Sequence, residues 1–291
     1  RDFRDGARER GVDDETIRTI FTKLIGFSNF GFPKAHSAAF AVLAYQSAWL
    51  RQRYPAEFLA ALLNAQPMGF YPPASLVRDA QRRGVVVVGP CVNRGEAHCI
   101  IEPVSAPVRL ATAPRRWRVR VGLGYVREVR ADAAARLADE RRANGPFRDL
   151  ADLAARCDLR REQLAQLIRS GACDAFGEPR RRMAWHLSSL TRPQATDAGK
   201  ALQLALPLPV PGAPDLAEPD RFERVVNDYE TMGLSTGWHL MALSRPHLPP
   251  EALTAAALRD TRDGAPVVVA GMVTARQRPA TAGGIVFMLL E

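Results

Sequence analysis

The residues best equipped for chemistry stand near the start of the chain. In Gly26-Phe27-Ser28-Asn29-Phe30-Gly31-Phe32-Pro33-Lys34-Ala35-His36-Ser37, three aromatics and two glycines precede a lysine and a histidine at the start of a predicted helix. A helix N-terminus exposes free N–H groups and a partial positive charge. Lys34 and His36 placed there add donors suited to a triphosphate. The plainer reading puts the aromatics in a core and leaves Lys34 and His36 solvated. A second candidate is Val119-Arg120-Val121-Gly122-Leu123-Gly124-Tyr125-Val126, flanked by Arg115, Arg116 and Arg118 on one side and Arg127 and Arg130 on the other. No strand-like segment carries paired aspartates. Cys91, Cys99, Cys157 and Cys173 show no C-x-x-C spacing, so they read as reduced thiols rather than a zinc site. None of these residues forms a catalytic set.

The elements that must position them follow from periodicity. Residues 13–24 predict an amphipathic helix, with Asp13 and Asp14 at its start, Ile17, Ile20, Phe21 and Leu24 on one face, and Gly26 as its stop. Further helices are expected over about 37–53, 55–65 (opened by Pro55) and 73–83 (closed by Gly84), with 85–88 as a short buried strand. The stretch after 88 reads as irregular. Residues 118–126 read as extended and then turning, followed by helices near 131–143, 149–155 and 161–170, the last stopped by Gly171. Six prolines between 191 and 220 predict a linker. Phe222, Val225, Val226 and Tyr229 mark one more helix, and 266–273 and 284–290 read as two strands joined by a turn-rich loop.

Charge narrows the partner. The 291 residues carry 40 basic and 31 acidic side chains, a net +9, and hydrophobic residues make up 47%, which excludes bulk disorder. Residues 106–192 hold 19 arginines against 10 acids, so the whole excess sits there. A localised basic excess is an electrostatic footprint for nucleic acid; the alternative is an arginine-rich solvated face. No apolar run approaches the roughly 18 residues of a membrane span. No membrane contact and a cytoplasmic location are expected. Arg1 opens the chain with neither Met nor an apolar signal, so an internal cut is expected.

The segment 30–63, FGFPKAHSAAFAVLAYQSAWLRQRYPAEFLAALL, resembles the fingers of bacterial C-family DNA polymerases, the polymerase III alpha subunit family. MGFYPPASLVRDAQRRGV (68–85) and Val92-Asn93 continue the likeness, which covers nearly the whole chain. Pro33 before Lys34, where replicative members carry Asn, is more like the error-prone, damage-inducible branch. The resemblance implies that Lys34 and His36 lie near the phosphates of an incoming deoxynucleoside triphosphate, with Ser37, Tyr45 and Gln46 along the same helix. It also implies a palm whose aspartates hold Mg²⁺, preceding this region, so a fragment without catalytic residues is expected.

Residues 119–177, ending LAQLIRSGACDAFG, resemble the paired helix-hairpin-helix domain of the same family, in which glycine-rich turns bring backbone N–H groups to phosphates. That implies DNA contacts at Arg115, Arg116, Arg118, Arg120, Gly122, Gly124, Arg127, Arg130, Ser170 and Gly171. The sequence departs from the pattern at Glu128, an acid where a turn glycine is expected. Gln203, Leu204 and Leu206 resemble a sliding-clamp-binding peptide, although Pro207 and Leu208 stand where aromatics belong. His239, in the segment 230–239, reads as structural, and 266–291 resembles the first strands of an OB-fold.

The expected architecture is mainly α: fingers to residue 105, a helix-hairpin-helix domain over 106–190, a Pro-rich linker over 191–220, a helical connection over 221–264 and the start of a truncated OB-fold. The expected function is a share in error-prone DNA synthesis for damage tolerance, with primer-template DNA, deoxynucleoside triphosphates, the sliding clamp and accessory mutagenesis proteins as partners. The alternatives are a replicative polymerase III alpha subunit and a non-catalytic DNA-binding scaffold.

Overall fold

The computed structural model describes every residue except 1–2, 29–33, 70, 111–112, 191–211, 213 and 280–282; at 27–28, 34–35, 105–110, 113–116 and 188–190 it describes the backbone alone. The chain forms two compact units, Arg1–Tyr54 and Pro55–Glu291.

The first unit holds α1 (Phe3–Arg8), α2 (Asp14–Ser28) and α3 (Lys34–Arg53). Asp13 caps α2, its carboxylate accepting the Thr16 N–H at 2.8 Å. Gly26 does not stop α2, which runs on to Ser28. One interior glycine costs only about 1 kcal/mol, and no proline follows until Pro33. Of the predicted apolar face only Ile17 is buried, while Ile20 and Leu24 are 41% and 48% exposed.

The second unit is built around a three-stranded sheet. α4 (Pro55–Asn64) and α5 (Pro73–Arg82) lead to β1 (Val86–Val88), then β2 (Ile100–Leu110) and β3 (Ala113–Arg120), in the order β1-β3-β2. β1 runs parallel to β3 and β2 antiparallel, with Glu102 opposite Arg118. The stretch expected to be irregular therefore contains the longest strand. Pro103 and Pro107 belong to an edge strand, where a missing N–H is tolerated, and the register shifts between Pro103 and Val108. β2 lies on both sides of residue 105.

A short 3₁₀ turn (Leu123–Tyr125) leads into α6 (Ala131–Asn144), α7 (Leu150–Arg156), α8 (Arg161–Arg169) and α9 (Arg180–Leu190). Sequence periodicity did not mark α9. α10 (Arg221–Met232) follows, capped by Asp220 and ended by left-handed Gly233, then α11 (Leu240–Ser244), β4 (Ala252–Leu253), α12 (Ala255–Leu258) and β5 (Val268–Val269), which pairs with β4. β6 (Val273–Gln277) and β7 (Phe287–Leu290) form an antiparallel pair. The first of the two expected strands is thus displaced: residues 273–277 pair with 287–290, and 266–272 contributes only β5. The fold is mainly helical, with a helix-hairpin-helix region and, at the end, the strand pair expected of an OB-fold's start.

Within the second unit one core runs from α4 through the sheet and the hairpin helices to Met232 of α10 and Leu234. Leu63, Val77, Val92, Val119, Leu123, Leu137, Leu153, Leu164, Leu167, Ile168, Met183 and Leu234 are each no more than 1% exposed. Each such side chain contributes about 1.5–3 kcal/mol of burial, so the hairpin region is anchored directly to the sheet. Among the described residues, no helix is long and apolar enough to cross a membrane.

Candidate nucleic-acid interface

The first hairpin, Val126–Arg130, alternates between core and solvent. Val126 and Val129 are 1% exposed and pin the turn, whereas Arg127, Glu128 and Arg130 face outward. The Val129 N–H donates to the Val126 carbonyl at 3.0 Å, and the Arg127 N–H donates to the Thr231 carbonyl of α10 at 2.7 Å. Glu128 has φ +67°, the one positive φ among the described non-glycine residues. The turn therefore takes the shape that a glycine would adopt without strain, held by a residue that resists it.

Two further contacts hold it there. Buried Gln163 of α8 donates to the Glu128 carbonyl at 3.1 Å while its Oε1 accepts the Arg160 N–H at 2.9 Å. The Glu128 carboxylate sits 3.8 Å from the Arg160 guanidinium. Arg130 opens α6 with no side chain capping the helix start. Arg127 and Arg130, like Arg161 at the start of α8, meet no carboxylate among the described residues. An exposed turn with two such arginines presents cations to a phosphate backbone without a base-reading shape.

The glycines before it have a different role. A Cβ at Gly122 would stand 2.5 Å from the Ala97 carbonyl oxygen, and one at Gly124 would stand 2.9 Å from the same atom. Their N–H groups are also committed: Gly122 to Cys99 Sγ at 3.4 Å, Leu123 to Glu96 at 2.8 Å and Gly124 to Ala97 at 3.0 Å. These glycines admit the 95–99 loop, and the protein itself occupies the approach expected of a phosphate.

The preceding arginines divide in the same way. The Arg120 side chain is 8% exposed, pairs with Glu102 through Nε and through Nη2 at 3.0 Å, and donates from Nη1 to the Gly89 carbonyl at 2.8 Å. Arg118 meets the same carboxylate at 2.9 Å. Burial pushes the Glu102 carboxyl up, but the two guanidinia outweigh it and hold it below its ordinary value. Arg120, expected among the DNA contacts, is a strut inside the sheet. Arg115 lies on β3 opposite Val108, and Arg116 follows it on that strand.

The second hairpin joins α8 to α9 and is closed. Ser170 is buried, its Oγ donating to the Leu167 carbonyl at 3.1 Å. Gly171 has φ +79°, and the Arg180 guanidinium fills the space beside it: a Cβ would stand 2.1 Å from Nη2. Arg180 in turn donates to the Arg169 carbonyl at 3.1 Å and binds Asp174 at 2.6 Å. The Ala172 carbonyl accepts the Val92 N–H at 2.9 Å.

In the other unit, Lys34 opens α3. His36, Ser37, Tyr45 and Gln46 are exposed, Tyr45 by 73%, and the His36 ring lies 4.5 Å from that of Phe40. At about 100° per residue, His36 and Tyr45 lie on opposite sides of the helix, with Ser37 between them. The aromatics at 30 and 32 and Pro33 lie outside the described residues, as do Gln203, Leu204 and Leu206. No group of three or more His, Cys, Asp or Glu able to hold a metal ion occurs among the described residues.

Comparison with known proteins identifies this arrangement. Residues 84–183 match the helix-hairpin-helix motif family. Over 99% of its length the chain is 40% identical to the error-prone DNA polymerase of Methylococcus capsulatus, covering 28% of that protein. It is 42% identical over 98% to that of Burkholderia pseudomallei, covering 26%, and 41% identical over 99% to that of Mycobacterium tuberculosis H37Rv, covering 25%. Nearly the whole chain is thus similar to error-prone DNA polymerases. It spans about a quarter of the length of the curated relatives it matches.

Within the hairpin region, sequence reasoning missed Gln163, Thr231 and Arg180, the three residues that shape the turns. Gln163 had a legible signal, a polar residue on the apolar face that Leu164, Leu167 and Ile168 define. Thr231 and Arg180 had none, because their partners lie far away in sequence or on an element that periodicity did not reveal.

Proposed function

We propose that the full-length protein is an error-prone DNA-directed DNA polymerase acting in damage tolerance and translesion synthesis. The observation that carries this reading is the 40–42% identity to error-prone DNA polymerases across 98–99% of this chain. In this reading, residues up to about 105 belong to the fingers, 106–190 grip duplex DNA, 191–220 form a linker, 221–264 connect onward, and 265–291 begin an OB-fold. Lys34 and His36, at the first turn of α3, contact the phosphates of the incoming nucleotide. Ser37 stands beside them. Tyr45 and Gln46 lie roughly 16 Å further along the axis, Tyr45 on the side of Lys34 rather than of His36. Mg²⁺ serves the reaction from palm aspartates outside this segment, as the likeness to DNA polymerases implies.

Arg127 and Arg130 supply the duplex contacts, with the side chains of Arg115 and Arg116 as further donors. Arg118, Arg120, Gly122, Gly124, Ser170 and Gly171 support that surface from within the protein. The peptide around Gln203, Leu204 and Leu206 docks on the sliding clamp.

Two measurements test the core of this reading. In the full-length enzyme, Lys34→Ala and His36→Ala raise the nucleotide KM or lower kcat; loss of a charge-assisted phosphate contact at Lys34 costs about 1.5–3 kcal/mol. Unchanged kinetics in both variants refute the assignment. For the duplex, unrelated sequences bind with similar affinity. If Arg127, Arg130 and Arg161 each neutralise one phosphate, log K falls with log[salt] at a slope of about −2.7. Reversing the charge of Arg127 and Arg130 together flattens that slope and weakens binding on the order of 100-fold; an unaltered slope refutes the hairpin as the grip.

A further inference from the structure

Beside the closed second hairpin lies a cleft of about 1030 Å³, lined by Gly89–Cys91, Arg94, Arg120, Ser170–Gly171, Asp174–Ala175, Arg180, the start and inner face of α10, and Thr236–Trp238. Its acids are all committed. Asp174 binds Arg180, Asp220 accepts the Glu223 N–H at 2.8 Å, and Asp228 accepts the Ser235 hydroxyl at 2.7 Å. Its arginines divide. Arg120 holds Glu102, Arg180 holds Asp174, and Arg224 lies 3.6 Å from Glu218, but Arg94 and Arg221 meet no carboxylate among the described residues. Arg221 instead lies over the indole of Trp238, 4.9 Å from its centroid.

Trp238 is 53% exposed, yet the loop beneath it is fixed from the core. Arg78, only 8% exposed, donates Nη1 to the Gly237 carbonyl and Nη2 to the Trp238 carbonyl, both at 2.9 Å. Gln81 of the same helix donates to the Thr236 carbonyl at 2.8 Å. A buried guanidinium spent on two backbone carbonyls pre-positions an aromatic ring that the core does not use. A half-exposed indole beside two guanidinia that meet no carboxylate suits a nucleotide: a base stacks on the ring, displacing Arg221 from the face that its guanidinium covers, and the arginines hold the phosphate. A base inside a duplex has both faces covered by its neighbours and cannot stack there.

We propose that this cleft takes an unpaired nucleotide, with the base on Trp238 and the phosphate on Arg94 and Arg221. The inference deepens the nucleic-acid reading of the hairpin region but uses a different surface from the first hairpin. The nucleotide comes from a single-stranded stretch of DNA or from a free nucleoside triphosphate, and the test separates the two.

The test uses the 291-residue chain and measures fluorescence anisotropy with labelled oligothymidylate and with a labelled blunt duplex. Trp238→Ala, and Arg94→Gln with Arg221→Gln, each lower affinity for the single strand about 10-fold and leave the blunt duplex unchanged. Arg127→Glu with Arg130→Glu shows the opposite pattern. Trp238→Phe, which keeps a stacking face, retains most single-strand affinity and controls for misfolding. Displacement of the oligothymidylate by dTTP in the parent, lost in Trp238→Ala, assigns the site to free nucleotide; persistence of the complex assigns it to the strand. The proposal is overturned if the parent does not bind oligothymidylate, if the cleft variants keep full affinity, or if they lose duplex and single strand alike. Failure of duplex binding with single-strand binding intact would remove the first hairpin's role and leave the cleft standing.

Discussion

The turn at Val126–Arg130 and the turn at Ser170–Ala172 are the two hairpins of one domain, and they invert what their residues suggest. The second keeps its glycine, at φ +79°, yet Arg180 occupies the space beside it, and Ser170 and Ala172 are buried. The first has Glu128 in place of glycine, at φ +67°, yet remains open to solvent with Arg127 and Arg130 uncommitted. A glycine reports the backbone shape that a turn needs. Whether the space beside that turn holds a phosphate, a loop or a guanidinium is decided by what packs against it. Gly122 and Gly124 make the same point, since there the occupant is the 95–99 loop.

The contrast between structural and surface-facing charge can be broken at three places. The largest effect is expected at Arg120. Arg120→Ala leaves Glu102, 14% exposed, without its main partner and lowers unfolding free energy by about 3–5 kcal/mol. The salt slope of duplex binding stays unchanged under conditions where the variant is folded. A flattened slope with little loss of stability would move Arg120 to the interface.

Glu128→Gly is expected to act on both properties. It relieves a left-handed L-residue, worth about 1 kcal/mol net of the added chain entropy, and removes a carboxylate from the phosphate path. Thermal unfolding shifts upward while duplex affinity rises and the salt slope steepens. Lower affinity in this variant would mean that Glu128 orders Arg160 for binding rather than neutralising it.

The smallest effect concerns Asp228, on the α10 face that lines the cleft. Burial pushes its carboxyl above the ordinary 3.8, against the Ser235 hydrogen bond that lowers it. A raised folded-state value means that the unfolded chain ionises first, so this group's contribution is fully present below 3.8 and is lost as pH rises through the raised value. Asp228→Asn keeps an acceptor for Ser235 without the charge. It is expected to be more stable than the parent at neutral pH, with the gain shrinking on acidification into that window. A gain independent of pH would show that the charge is not the cause.

Much of this molecule was legible without coordinates. Capping acids, apolar periodicity, Pro55 and Gly171 located most of the helices, and KAHS with the hairpin pattern located the family. These features are local, set within one or two turns of chain, so sequence alone determines them. What escaped was non-local. β2 was hidden by its prolines because edge position, which makes them tolerable, is a property of the sheet. The fate of each arginine was hidden because its partner lies elsewhere: Glu102 is 18 residues from Arg120, and the Trp238 carbonyl is 160 residues from Arg78. The sequence determined that positive charge concentrates in residues 106–192. Only the tertiary structure decided which of those guanidinia are spent inside the fold and which face outward, because a cation's availability depends on what is packed against it.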